Sequence, residues 1–248
     1  MTLLLLAGTG EARVIAGRLA EAGVSAVASL AGAVRKPRAL DLPMRVGGFG
    51  GDAGFEAYLG EAGIGAVLDA THPFATRISA RTARICAEEG VPYCQYLRPA
   101  WEMEEGWVPL KSEAELAGHV APEACVFLAT GRQTAGRFGG LAGAGRRVIC
   151  RVVEEPEEAF PFAGGEFLVA RPPFRLEDEV ALFERLGVDW LVAKNAGGAE
   201  GRAKLEAAER LGIRVAMIER AAPMEGVRTV DSVEAAVDWA VDQAGARA

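Results

Sequence analysis

Histidine is scarce in this 248-residue chain, which has two, and its four cysteines include no C-x-x-C pair. Cys86, Cys94, Cys125 and Cys150 lie too far apart to make a structural zinc site with His72 or His119, so no metal is expected. No uncharged run approaches the roughly 18 apolar residues that a bilayer span needs, which excludes a membrane protein. The opening MTLLLLAG lacks a basic n-region and reaches Gly-Thr-Gly at once. It reads as a buried strand and not a signal peptide, which places the chain in the cytoplasm with reduced thiols. Also missing are H-E-x-x-H, G-x-x-x-x-G-K-[ST] and a nucleophile elbow, which argues against zinc proteolysis, P-loop ATP chemistry and triad hydrolysis. The formal charge of -7 and pI near 5.1 leave no overall basic surface for duplex nucleic acid.

What is present is enough to build sizeable cores: half of the residues are hydrophobic, and a chain this long buries about 70% of its extended surface without staples. Short apolar runs alternate with longer amphipathic stretches throughout, the pattern of strand-helix units in a mostly parallel sheet. The first half predicts strands over 3–6, 25–30, 45–47, 66–69 and 93–96, with helices over 11–22, 53–62 and 74–89. Residues 97–111, with Pro99, Trp101, Gly106, Trp107 and Pro109, break the helical period and read as a connector. Beyond it the pattern predicts helices over 112–119, 132–138, 177–186, 202–211 and 233–244, and strands over 125–129, 147–152, 167–169, 190–193 and 215–218. The expected class is α/β, with two Rossmann-like doubly wound parallel-sheet domains, 1–100 and 101–248, and a cleft between them.

In such sheets ligands sit at the carboxyl ends of strands, so the strand-to-helix turns are where function is expected. The first is AGTGEAR, where Gly8 and Gly10 let the backbone approach a pyrophosphate at the positive end of a helix. The third glycine of G-x-G-x-x-G is replaced by Arg13, so a tight turn with no ligand is the competing reading. Glu11 at the helix start would repel a phosphate, which leaves Thr9 and the backbone to make contact while Arg13 offsets the charge. The second strand ends near Ser29 without the acidic residue that reads the ribose of NAD; Arg35, Lys36 and Arg38 follow instead, which suits a 2′-phosphate and hence NADPH.

LDATHPFAT is a second strand end, with Thr71, Phe74 and Thr76 facing the cofactor and His72 as a general acid, a positioner or a structural residue. Arg77, Arg81 and Arg84 share one face of the next helix, which fits a solvated surface. FLATGRQ frees the backbone at Gly131 and offers Arg132 and Gln133 to carboxylates. LVAKNAGG brings Lys194, one of only four lysines against 23 arginines, to a strand end followed by Asn195, Gly197 and Gly198. Such a lysine is a structural ion pair, an anchor for an acidic ligand or a proton donor. Trp101, Trp107 and Phe138 either line a flat-ligand pocket or pack in the core.

Taken in order, AGTGEAR, SLAGAVRKP, RVGGFGG, DATHPFA, RPAW, TGRQ and VAKNAGG followed by AKLEAA and LGI resemble the precorrin-6A reductase family of cobalamin biosynthesis over nearly the whole chain. The resemblance implies two Rossmann-like domains, NADPH as cofactor and reduction of the C18=C19 bond of precorrin-6A to give precorrin-6B. It puts Gly8, Thr9, Glu11, Arg13, Ser29, Arg35 and Lys36 on the cofactor side, in domain 1–100, with Thr71, His72, Phe74 and Thr76 near the nicotinamide. It puts Gly131, Arg132, Gln133, Lys194, Asn195, Gly197 and Gly198 on the tetrapyrrole side, in domain 101–248, with Lys194 and His72 as candidate proton donors. Ala196 stands where some members have serine, so a hydroxyl there is dispensable. Partners implied are precorrin-6A and neighbouring pathway enzymes. A cobalt-precorrin-6A reductase and a non-catalytic NADP-sensing regulator stay open as alternatives.

Overall fold

The structure, a computed structural model, describes residues 1–32 and 38–245. Arg35 and Lys36 lie outside the described residues. The chain forms two compact units, Met1–Pro99 with Ala221–Ala248, and Ala100–Arg220. Numbered in chain order, the first unit contains β1 (Thr2–Leu6), α1 (Gly10–Glu21), β2 (Ala26–Leu30), β3 (Met44–Val46), α2 (Asp52–Glu61), β4 (Ile64–Asp69), α3 (Thr76–Glu88) and β5 (Tyr93–Tyr96). The second contains β6 (Val108–Leu110), β7 (Cys125–Leu128), β8 (Arg147–Val152), β9 (Gly165–Val169), α4 (Leu176–Leu186), β10 (Trp190–Lys194), α5 (Ala203–Leu211) and β11 (Arg214–Ile218). β12 (Thr229–Val230) and α6 (Val233–Gly245) then return to the first unit.

The run Leu3–Leu6 is apolar at every position because β1 is central in a parallel sheet and covered on both faces. Side chains alternate with period two, so Leu3 and Leu5 join Ile15 and Leu19 of α1 and Trp239 of α6. Leu4 and Leu6 join Phe55 and Leu59 of α2 and Ile85 of α3 on the other face. One short sequence phrase thus feeds two cores.

All strand pairs within each sheet are parallel. The orders are β3-β2-β1-β4-β5-β12 in the first unit and β9-β8-β7-β10-β11-β6 in the second. Both follow the dinucleotide-fold order, in which direction reverses between the first and fourth strands. The sixth strand comes from opposite ends: β12 follows the second unit in sequence, whereas β6 precedes the rest of its own sheet.

This corrects the expected division at 101–248. The break near 100 stands, but residues 221–248 belong with the first unit. Thr229 and Val230 pair with Gln95 and Tyr96, and α6 buries Ala236, Trp239 and Ala240 in the first core. An amphipathic period tells which face of a helix is buried, not which sheet buries it. The connector 97–111 also hides β6, which pairs Val108–Leu110 with Ala216–Ile218. The helices expected over 112–119 and 132–138 are 3-10 segments, Glu113–Gly118 and Arg132–Leu141. Gly136, Gly139 and Gly140 in the second oppose a long α-helix through their backbone entropy. Among the described residues, no helix is long and apolar enough to cross a membrane.

Candidate functional site

In each sheet the strand order reverses beside two of the strand-to-helix turns. In the first unit the turn after β1 lies next to the turn after β4, because those strands pair from Thr2↔Ile64 to Leu6↔Asp69. Thr9 joins them: its hydroxyl donates to the Ala70 carbonyl at 3.1 Å and accepts from the Ala12 amide at 3.1 Å, capping α1. That satisfies an otherwise orphaned helix donor. Thr9 is therefore a tether across the crossover point. Thr9→Val, which keeps the shape and removes both bonds, is expected to cost about 1–2 kcal/mol of stability, read by urea denaturation. Gly8 has φ +147°, and a Cβ there would meet no atom of the described residues within 4 Å beyond its chain neighbours, which leaves room over the turn for a ligand. Together with the N-terminus of a twelve-residue helix, this turn fits a pyrophosphate.

Glu11 does not leave its charge in that space. Arg98 donates to it at 2.6 Å, with side-chain exposures of 12% for Arg98 and 22% for Glu11. The expected offset by Arg13 is thus corrected, because Arg13 donates to the Ala39 carbonyl at 2.9 Å. Ser29, 5% exposed at the end of β2, accepts from Arg45 Nη1 at 2.8 Å.

The turn after β4 is braced by Asp69, 1% exposed. Its carboxylate accepts from the Thr71 amide at 3.0 Å, the Thr71 hydroxyl at 2.7 Å and the Tyr93 hydroxyl at 2.8 Å. Burial, and then the Asp69 charge, push the Tyr93 phenol well above its ordinary range, so it stays a donor. Thr71 therefore positions the turn through its hydroxyl. His72 is exposed, and its Nδ1 accepts from the Phe74 amide at 3.3 Å with the rings 5.9 Å apart. That bond assigns the proton of a neutral ring to Nε2. Thr76 is the exposed first residue of α3. Further along α3, Arg84 pairs with Asp52 and Glu88, and Arg81 lies 3.9 Å from Asp52, so these two brace helices.

In the second unit the equivalent turns follow β7 and β10. Lys194 crosses from one to the other, Nζ donating to the Thr130 carbonyl at 2.8 Å. Burial lowers its pKa from the ordinary 10.5; Glu113 opposes that shift and Arg137 adds to it. Thr130 is 6% exposed, and its hydroxyl has no hydrogen-bond partner among the described residues. Gly131 has φ +81° at the start of the 3-10 segment, with open space at its Cβ position. Arg132 and Gln133 line a cavity of about 280 Å³ with Gly136, Glu158, Pro161 and Phe167.

Asn195 departs from the expectation that it faces a ligand. Its Oδ1 accepts from the Trp101 amide at 2.9 Å and its Nδ2 donates to the Trp101 carbonyl at 3.0 Å. Both ends of the amide serve the fold. Gly198 accepts from the Trp101 indole at 3.1 Å, and Gly197 and Gly198 take positive φ to make the turn. Trp101 and Trp107 pack against the second core and Phe138 is buried, the core reading of the aromatics. Sequence reasoning assigned no role to Arg45, Asp69, Arg98 or Thr130. Three of these stood inside quoted phrases, RVGGFGG, DATHPFA and RPAW, but each has a partner outside its phrase: Ser29 for Arg45, Tyr93 for Asp69 and Glu11 for Arg98. Thr130 lay in the strand-end turn FLATGRQ.

A family model described as precorrin-6x reductase CbiJ/CobK matches residues 2–241. The chain is 41% identical over 239 residues to the precorrin-6A reductase of Mycobacterium tuberculosis (strain H37Rv), covering 96% of each. It is 40% identical over 245 residues to that of Rhodobacter capsulatus, covering 97% of this chain and 96% of the relative. Identity to the cobalt-precorrin-6A reductase of Priestia megaterium is 29% over 232 residues, covering 88% and 90%. A solved structure of CobK precorrin-6A reductase matches with a TM-score of 0.89 at 38% identity, covering 98% of this chain and 97% of that one.

Proposed function

The chain belongs to the precorrin-6x reductase family, oxidoreductases of cobalamin biosynthesis, and from that premise we propose that it reduces precorrin-6A with a hydride from NADPH. The first unit holds the nucleotide, the second holds the tetrapyrrole, and the bond saturated is C18=C19. The observation that carries this reading is the pairing of two turns at the crossover point of each sheet, one pair per ligand.

NADPH, when bound, supplies the hydride; the residues of the chain supply position and the proton. On the first unit the Gly8 turn and the amides opening α1 receive the pyrophosphate, with Glu11 neutralised by Arg98. Thr71, held by Asp69, forms the wall for the nicotinamide with His72, Phe74 and Thr76. On the second unit Gly131, Arg132 and Gln133 receive substrate carboxylates through charge-assisted hydrogen bonds. Lys194 holds the compensating proton on Nζ, and burial makes it a stronger acid than an exposed lysine. His72 Nε2 is the alternative donor. One hydride and one proton make two new C–H bonds and leave NADP⁺, so the step balances.

Higher identity to the precorrin-6A reductases than to the cobalt-precorrin enzyme favours the metal-free ring. The test is absorbance at the NADPH band with purified protein and precorrin-6A, with NADH and cobalt-precorrin-6A in parallel cuvettes. Oxidation of NADPH coupled to a change in the tetrapyrrole spectrum is expected, with NADH slower. NADPH bound but not consumed by either ring would replace the reductase reading with nucleotide sensing.

A further inference from the structure

We propose that Arg45, arriving from β3, is the residue that reads the 2′-phosphate of the nucleotide and so sets the preference for NADPH over NADH. The inference rests on the NADPH reading above and adds the residue and the mechanism of discrimination. In dinucleotide folds the ribose 2′ position is read at the end of the second strand, where an acid selects NAD. Here that end carries Ser29, and β2 pairs with β3 so that Ser29 is directly in register with Arg45. The guanidinium therefore reaches from the neighbouring strand to the place where the acid would stand.

Among the described residues, its bonding leaves the charge uncompensated. Nη1 donates to Ser29 Oγ at 2.8 Å and to the Gly47 carbonyl at 3.1 Å, and Nη2 donates to the Gly48 carbonyl at 3.0 Å. All three acceptors are neutral. These bonds use three of the five guanidinium N–H groups and leave Nε–H and one Nη2–H, a pair suited to two phosphate oxygens.

The group is also locked before any ligand arrives. Its carbon lies 3.9 Å from the centroid of the Phe49 ring and 5.0 Å from that of Tyr58. Phe49 is fixed in turn by Phe55 and Tyr58, with ring centroids 4.8 and 5.2 Å away. The loop backbone closes over α2 so tightly that a Cβ on Gly54 would stand 1.8 Å from the Phe49 carbonyl oxygen. Beside this platform the positions above Gly47, Gly48, Gly50 and Gly51 are open. A rigid, uncompensated cation facing open space loses little entropy on binding an anion.

The experiment is equilibrium binding of NADPH, NADH, 2′,5′-ADP and ADP to the full chain by calorimetry. The wild type is expected to bind 2′,5′-ADP at least about 10-fold more tightly than ADP, the range of one charge-assisted contact. Arg45→Gln is expected to weaken NADPH and 2′,5′-ADP by about 10- to 100-fold while NADH and ADP change by less than about 3-fold. Arg45→Lys, which keeps the charge and loses the fork, should keep only part of the preference. Ser29→Asp leaves the arginine in place and sets a carboxylate against it, so it should erase or reverse the preference even if Arg45→Gln fails to fold. Equal losses for both nucleotides would mean that Arg45 only supports the loop, and a preference retained in both Arg45→Gln and Ser29→Asp would place the phosphate elsewhere; either overturns the inference alone. A wild type that binds neither dinucleotide overturns the cofactor reading together with it.

Discussion

Lys194→Met is expected to lower the turnover number for precorrin-6A by about 100-fold or more, the usual contribution of a positioned general acid, while leaving NADPH affinity nearly intact. The split follows from placement: Lys194 ends β10 of the second unit, and the Gly8 turn belongs to the first. Methionine roughly conserves the length of the apolar stem, so the structural loss is mainly the bond to the Thr130 carbonyl, about 1 kcal/mol. A structural role alone would therefore show as modest instability with normal turnover. The pH profile separates the roles further. An acid must be protonated to act, so wild-type turnover should fall as pH rises through the Lys194 pKa. Burial sets that pKa below the ordinary 10.5, which brings the alkaline limb to lower pH than an exposed lysine would give. In Lys194→Met that limb should vanish. Unchanged turnover, or an unchanged alkaline limb, would move the proton to His72 or to ordered water.

The second large effect is on stability. Glu179→Ala should destabilise the second unit by about 3–5 kcal/mol, because it strands the Arg151 charge in the core. The two side chains form an ion pair with exposures of 8% and 2%. Arg151 has no easy exit to water: its carbon lies 3.8 Å from the centroid of the Phe174 ring and 5.2 Å from that of Phe127. Taking both charges away gives a different result. Arg151→Met combined with Glu179→Leu should recover most of the loss, since desolvating the pair costs much of what its attraction returns. At the surface, Arg84→Ala, which breaks pairs with half-exposed Asp52 and Glu88, should leave stability nearly unchanged, because solvent screens both pairs. Urea denaturation followed by circular dichroism measures all three. A loss below about 1 kcal/mol for Glu179→Ala would show that water reaches Arg151 once the glutamate is gone.

The central strands and the turns that carry the site were readable in the chain because their signals are local. Leu3–Leu6 is apolar without alternation, which only a strand covered on both faces requires. Gly8, Gly131 and the glycines after Asn195 mark places where the backbone must turn or be approached. The roles of individual side chains were less readable. Thr9 looks like a phosphate ligand and is a tether to Ala70; Asn195 looks like a ligand contact and clamps Trp101. In both cases the partner is more than 60 residues away, and composition near the motif holds no trace of it. Arg45 was passed over because its place beside Ser29 depends on β2 pairing with β3, a register no local period encodes.

By itself the sequence determined the α/β class, the break near residue 100, the strand-to-helix turns and, through its ordered phrases, the family. Those rest on periodicity and on the conformational needs of single residues, which act over a few positions. Only the tertiary structure decided that β12 and α6 complete the first unit, that Arg98 and not Arg13 neutralises Glu11, and that Lys194 spans the two turns of its sheet. Each of these is a contact whose stabilisation depends on burial and on loops closed over long separations, so it exists only once the sheets have assembled.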